Sequence, residues 1–369
     1  MRCILAILAL TVSAVFGQNN RSAVSLSGND MAKCTVPDPC RTFDVAISKT
    51  NSGGEVVVLS TAGYGAFTVT KSVSIISPSA YHAAMAPTSG TAITVNAPGA
   101  TIVLRNLYLN SLGADTGVSI QSASIVHIEG LVVNHFGLNA VEITGMIGGA
   151  AELFVKDTEI RDNGQSGILL SPSSGSVVAS IDHTRLERNL NGLTADTGVE
   201  VSVRNTVAAR NISTSFYFQN FGSLSSLRAS VEHSIAADGE NGFVLQDGGR
   251  VTIRDSAAVR NFQYGFWAGS PRNGLKTEMV LDRCLAAENF DGITASAAGL
   301  VTVSNSTANR NSSYGIVAEL TGTVRAFGNT VTENGTGIFV TGIFRSGGHN
   351  FVDGNGLDTL GTITSVPTM

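Results

Sequence analysis

Charge is scarce in this 369-residue chain: Asp, Glu, Lys and Arg together make up 14% of it, and the formal net charge is −5. No basic patch or stripe follows from such a balance, which argues against nucleic acid as a partner. Aromatic residues are also few, at 6% with a single Trp. A large core must therefore be filled by Val, Ile, Leu and Ala, which suits thin, repeated β layers. Hydrophobic residues still reach 43% and recur along the whole length, so the chain does not have the composition of a disordered one. After the first seventeen residues no apolar run is long enough to span a bilayer, so no transmembrane segment is expected.

Those first residues read Met1-Arg2, then an uncharged stretch from Cys3 to Phe16, then Gly17 before the polar Gln18-Asn19-Asn20-Arg21. This is the pattern of a secretory signal over 1–17, with cleavage near Gly17 and a secreted, periplasmic or cell-surface destination. Cys3 lies inside the apolar run, too early to be a lipidated cysteine. In the following segment, 18–40, Cys34 and Cys40 flank the stiff loop Thr35-Val36-Pro37-Asp38-Pro39. An exported compartment would let them form a disulfide. The alternative, a metal or redox pair, would require other Cys or His at ligand spacing, and none is near.

One short pattern returns throughout the rest. Copies of V-x-I-x-polar-small occupy 153–158, 179–184, 201–206 and 229–234, and others begin at Val251, Met279, Val301 and, more loosely, Val324. Each is followed by a second apolar stretch opening after a glycine, as in Gly167-Ile168, Gly192-Leu193, Gly242-Phe243, Gly265-Phe266, Gly292-Ile293, Gly315-Ile316 and Gly337-Ile338. Between the two stand Asn163, Asn189, Asn211, Asn261, Asn289, Asn311 and Asn334, at intervals in the twenties, with Gly239 filling one missing place. A period in the twenties with strands and no helix-forming stretch predicts a β-solenoid with at least two strands per coil. Identical side chains then stack, and an Asn amide can donate to one neighbour and accept from the other. Two charge columns fit the same register: Lys156, Asp182, Arg204, Glu232, Arg254, Asp282, and Asp162, Arg188, Arg210, Asp238, Arg260, Glu288, Arg310, Glu333. Their signs alternate, with one like-charge step at Arg188 and Arg210, and favour in-register pairing. Thr158, Thr184, Thr206, Ser234, Ser256, Cys284 and Ser306 make a hydroxyl column in which Cys284 reads as a buried free thiol.

Upstream, Phe43, Ala46 and Ile47 fall at helical spacing within 41–49, with Gly53-Gly54 as the expected stop. Such a helix would plug the open end of the solenoid, whose edges otherwise template aggregation. The expected organisation is a solenoid over 41–355 with a C-terminal tail over 356–369. With its stacked Asn turns and cap helix, the chain resembles the right-handed parallel β-helix proteins of the pectin-lyase-like superfamily. The resemblance covers roughly 41–355. It implies an all-β, single-stranded right-handed parallel β-helix with a short N-terminal capping helix. The segment 34–64, with Cys-x5-Cys-Arg-Thr-Phe and Gly53-Gly54-Glu55-Val56-Val57-Val58-Leu59, also resembles exported bacterial β-helix proteins of unknown activity.

Enzymes of that superfamily act on acidic polysaccharides through local signatures, and these are missing here. The chain has no Asp-Asp, no Gly-His-Gly, no Arg-Ile-Lys and no Asp-Pro-His-Asp, and Gly347-Gly348-His349-Asn350 is the nearest imitation. No carboxylate cluster suggests Ca²⁺, and no cofactor or metal is implied. The remaining catalytic candidates are Asp182, His183 and His233, the last two from the column Asp157, His183, Asn205, His233, Asp255, Arg283. An acid, a base and a cation in neighbouring coils could serve glycosidic cleavage. An alternating-charge ladder of solvated turn residues already explains them, and that structural reading is preferred to catalysis.

A second column carries more functional weight. In the strand after each glycine the middle residue should point outward, and that column reads Leu169, Thr194, Tyr217, Val244, Trp267, Thr294, Val317 and Phe339. It is unusually apolar for a solvated face. Tyr217, Trp267 and Phe339 are the candidate substrate-binding residues, with Tyr217 and Trp267 spaced to stack on sugars of one extended glycan. Two alternatives stay open: cover by loops 219–227 and 269–276, or a homo-oligomer contact through this column. The expected function is binding of an extended polysaccharide. A divergent polysaccharide lyase or glycoside hydrolase, and a structural surface or adhesion module, are the alternatives.

Overall fold

In the computed structural model the chain is a parallel β-solenoid; the residues described are 18–220, 227–272 and 274–367. The expected signal at 1–17, and positions 221–226 and 273 of the expected covering loops, lie outside them. Each full coil contributes one strand to each of three faces. Among the described residues, face A has fifteen strands, from Asn19–Val24 to Ile363–Ser365. Among the same residues face B has thirteen, from Ala62–Gly63 to Phe351–Asp353, and face C thirteen, from Phe67–Val69 to Leu357–Leu360. Every neighbouring pair is parallel, with the next coil supplying the partner strand. The third strand per coil is the three-residue piece just before each Asn, such as Val207–Ala209. It is too short to show a period in the sequence. Its middle residues form one buried column, Ile160, Leu186, Ala208, Ala236, Ala258, Ala286, Ala308 and Val331.

The corners explain the polar columns. Asp157, His183, Asn205, His233, Asp255, Arg283 and Asn305 turn the chain from face A to face B with φ between 47° and 51°. Asp162, Arg188, Arg210, Asp238, Arg260, Glu288, Arg310 and Glu333 turn it from B to C with φ between 53° and 59°. Asn, Asp and His tolerate this left-handed region better than most residues, because short polar side chains bond locally. The next residue at the second corner is the ladder Asn. Asn289, for example, sends both its backbone N–H and its Nδ2 to Oδ1 of Asn311 at 3.0 and 3.1 Å, and Asn311 does the same to Asn334. At the gap, the Gly239 N–H bonds Asn261 Oδ1 directly at 3.3 Å. The ladder continues to Asn355. Inside, Phe216, Phe243 and Phe266 stack with ring centroids 4.7 and 5.0 Å apart.

The structure changes three expectations at the ends. The cap helix α1 (Phe43–Lys49) buries Phe43, Ala46 and Ile47, but it stops at Lys49 rather than at Gly53-Gly54. Thr50 ends it: its side chain bonds Ala46 O and Ser22 Oγ while its backbone opens the strand Thr50–Val58, which holds both glycines. The 18–40 segment joins face A through Asn19–Val24, paired with that strand, and carries the Cys34–Cys40 disulfide. At the other end, 356–369 is not simply a tail, because Leu357–Leu360 and Ile363–Ser365 pair with the preceding coil. Weak apolar content hid this coil in the sequence, and Leu357 and Leu360 are exposed. Among the described residues, no helix is long and apolar enough to cross a membrane.

Candidate functional site

The outward column of face C runs in unbroken register: Leu169, Thr194, Tyr217, Val244, Trp267, Thr294, Val317, Phe339. Its members are not equally open. Thr194, Val244, Thr294 and Val317 are buried, whereas Leu169, Tyr217, Trp267 and Phe339 are half-buried. Trp267 leans across Gly269, where a Cβ would come within 2.7 Å of the indole.

Two further rows of rings, which the sequence reading missed, widen this floor. Tyr264, Asp291 and Tyr314 are in-register neighbours on the same strands, three residues before Trp267, Thr294 and Val317. Tyr264 packs 6.2 Å from Trp267, and Tyr314 stacks on Phe339 at 4.5 Å. At the adjoining corner, immediately after the ladder Asn, Ile212, Phe262 and Phe290 are 71%, 78% and 51% exposed. The signal was available in the sequence as an apolar residue following Asn211, Asn261 and Asn289. A groove of about 370 Å³ lies between these elements, lined among others by Asn191, Thr214, Tyr217, Asn241, Tyr264 and Trp267.

Polar groups at the groove are mostly amides, hydroxyls and carboxylates. The Tyr217 hydroxyl donates to Gln246 Oε1 at 2.7 Å, and its pKa is raised, first by burial. Arg272, from one expected covering loop, reaches this hydroxyl and pairs with Asp247 at 3.3 Å, so that loop closes one edge. Asp291 accepts from the Tyr314 N–H at 3.3 Å. Burial between the two tyrosines pushes its pKa up to about 6. Burial also raises Asp196. Among the described residues, Asp196 Oδ1, Asn241 Oδ1 and Thr294 Oγ1 are buried without a hydrogen-bond partner.

The sequence matches the family model described as right handed beta helix region over residues 91–278 and 229–356. The chain belongs to this family. Among solved structures, this right-handed β-helix is similar to XylC in complex with xylose, at TM-score 0.52 and 9% identity over 85% of this chain and 75% of that one. It is also similar to the catalytic domain of a GH87 α-1,3-glucanase in complex with tetrasaccharides, at TM-score 0.51 and 12% identity over 98% and 70%. A pectate lyase, Pel9A, aligns at TM-score 0.36 and 14% identity over 94% and 78%. At these identities the likeness is one of fold. No curated protein sequence matches the chain.

The charged candidates lie elsewhere on the β-helix, at the corner between faces A and B. Asp182 and His183 meet, with Nδ1 2.9 Å from Oδ1. Burial pulls the Asp182 pKa up, but hydrogen bonds from Asn205 and His183 outweigh it, and the net shift is downward. His233 is two coils from His183, a backbone separation of about 10 Å. Beside it Asp255 is held by Arg283 through two contacts at 2.7 and 2.8 Å, which lower its pKa. A carboxylate held ionised by a partner is a poor proton donor near neutral pH. Cys284, the free thiol, is buried here and its pKa is pushed up to about 11 by burial. Among the described residues, no three His, Cys, Asp or Glu side chains converge on a metal position.

Proposed function

We propose that this right-handed β-helix is an exported protein that binds an extended polysaccharide along the outer surface of face C. The observation that carries the reading is the floor of rings, Tyr217 and Trp267 in one outward column with Tyr264 beside Trp267, along a groove lined by amides and hydroxyls. Rings offer flat apolar surface to the C–H faces of sugars, while amides and hydroxyls satisfy the sugar hydroxyls. Stacked coils repeat this surface along the molecule's axis, which matches a linear polymer better than a compact ligand. The two solved structures of similar fold with bound sugars lend support to a carbohydrate.

Trp267→Ala and Tyr217→Ala test the reading on a glycan array. Each is expected to weaken binding roughly tenfold, the equivalent of about one ring contact. Binding unchanged in both variants would remove the proposal. Export has its own check: N-terminal sequencing of protein recovered outside the cytoplasm should begin near Gln18, and a retained Met1 would argue against a cleaved leader.

A further inference from the structure

Resting on the polysaccharide-binding reading, we infer that the face C groove takes a neutral, hydroxyl-rich glycan and rejects uronic-acid polymers. The first ground is charge. Among the described residues, none of the thirteen face C strands contains a Lys or Arg. The guanidinium at the groove's edge, Arg272, is paired with Asp247. Carboxylates, by contrast, surround the floor: Glu240 lines the groove, and Asp196, Asp291 and Glu319 stand on or beside the neighbouring strands. A polyanion laid along this surface would meet like charge in several successive coils with no cation in the floor to offset it.

The second ground is the chemistry of the lining. Its polar groups are chiefly neutral amides, Asn191, Asn241, Gln246 and Gln263, with Gln246 Oε1 receiving the Tyr217 hydroxyl and Glu240 Oε1 receiving Gln263 Nε2 at 2.8 Å. Amides donate and accept as sugar hydroxyls do, whereas an ionised uronate carboxylate only accepts and would be set beside Glu240. Two adjacent arginines, Arg228 and Arg250, lie in register on face A beside Glu200, away from the rings.

The experiment uses the mature chain in affinity electrophoresis against soluble xylan and a mixed-linkage β-glucan as neutral probes, and polygalacturonate and alginate as acidic ones. The expected result is retardation by a neutral probe that Trp267→Ala reduces at least tenfold and that salt hardly changes. Comparable uronan binding, lost with the same substitution, would overturn the inference while leaving the polysaccharide reading intact. Binding to no probe, or binding indifferent to Trp267→Ala, would overturn both. Asn241→Lys supplies a gain that an unfolded variant cannot show: it should raise uronan affinity about tenfold, and no gain would count against the charge argument.

Discussion

Asp291 shows how a single side chain reports on the face it occupies. Its pKa rises from an ordinary 3.8 to about 6, mainly through burial, a shift equivalent to about 3 kcal/mol. As pH rises, the unfolded chain loses this proton near 4 and the folded chain only near 6. Folding is therefore favoured by Asp291 protonation at low pH, loses stability between those values, and carries the full penalty above the upper one. Asp291→Asn keeps an oxygen to accept the Tyr314 N–H and removes the ionisation. The variant should exceed the parent in stability at pH 8 by up to about 3 kcal/mol and lose that advantage near pH 3. Thermal melts at both pH values decide it, and equal melting at pH 8 would sink the argument. Nothing in the sequence singled out Asp291, because its burial depends on Tyr264 and Tyr314 from the two adjacent coils. Tyr217 and Trp267 were legible, because strand alternation alone places them outward. How far each is exposed was not, since that depends on side chains from other coils and from the turn holding Arg272.

Among the elements, the Asn turns carry the most predictable energetics. Removing the Asn311 side chain would leave the Asn289 backbone N–H and amide without their shared acceptor in a buried corner. Asn311→Ala is expected to cost about 3 kcal/mol, seen as a lower urea midpoint without a change in slope. The gap in the ladder behaves differently. A Cβ on Gly239 would sit 2.8 Å from Asn211 O, closer than the backbone there can tolerate. Gly239→Asn should therefore destabilise the protein although it restores the repeat; a higher midpoint would refute this. Stacked copies made the ladder visible in one dimension, whereas the crowding at Gly239 comes from the coil before it. The polar corner column is legible in the same partial way. Its register with the alternating charges could be read from the sequence, but its left-handed backbone, which accounts for Asp157, Asn205 and Asp255 without catalysis, is a property of the folded turn.

For the whole molecule, repetition determined the architecture. A period in the twenties with apolar alternation leaves coiling as the way to bury every coil's inward face, and the Asn spacing then sets which residues stack. From sequence alone followed the parallel solenoid, the columns, the helix over Phe43, Ala46 and Ile47, and the proximity of Cys34 to Cys40. These rest on local periodicity and short separations, which act before distant parts of the chain meet. The tertiary structure decided the rest: the third strand of each coil, the extra coil at 357–365, and the groove lined by Tyr217, Tyr264 and Trp267. Each of these arises where side chains about one coil apart in sequence come into contact. Their burial and shared hydrogen bonds exist only once the coils are stacked.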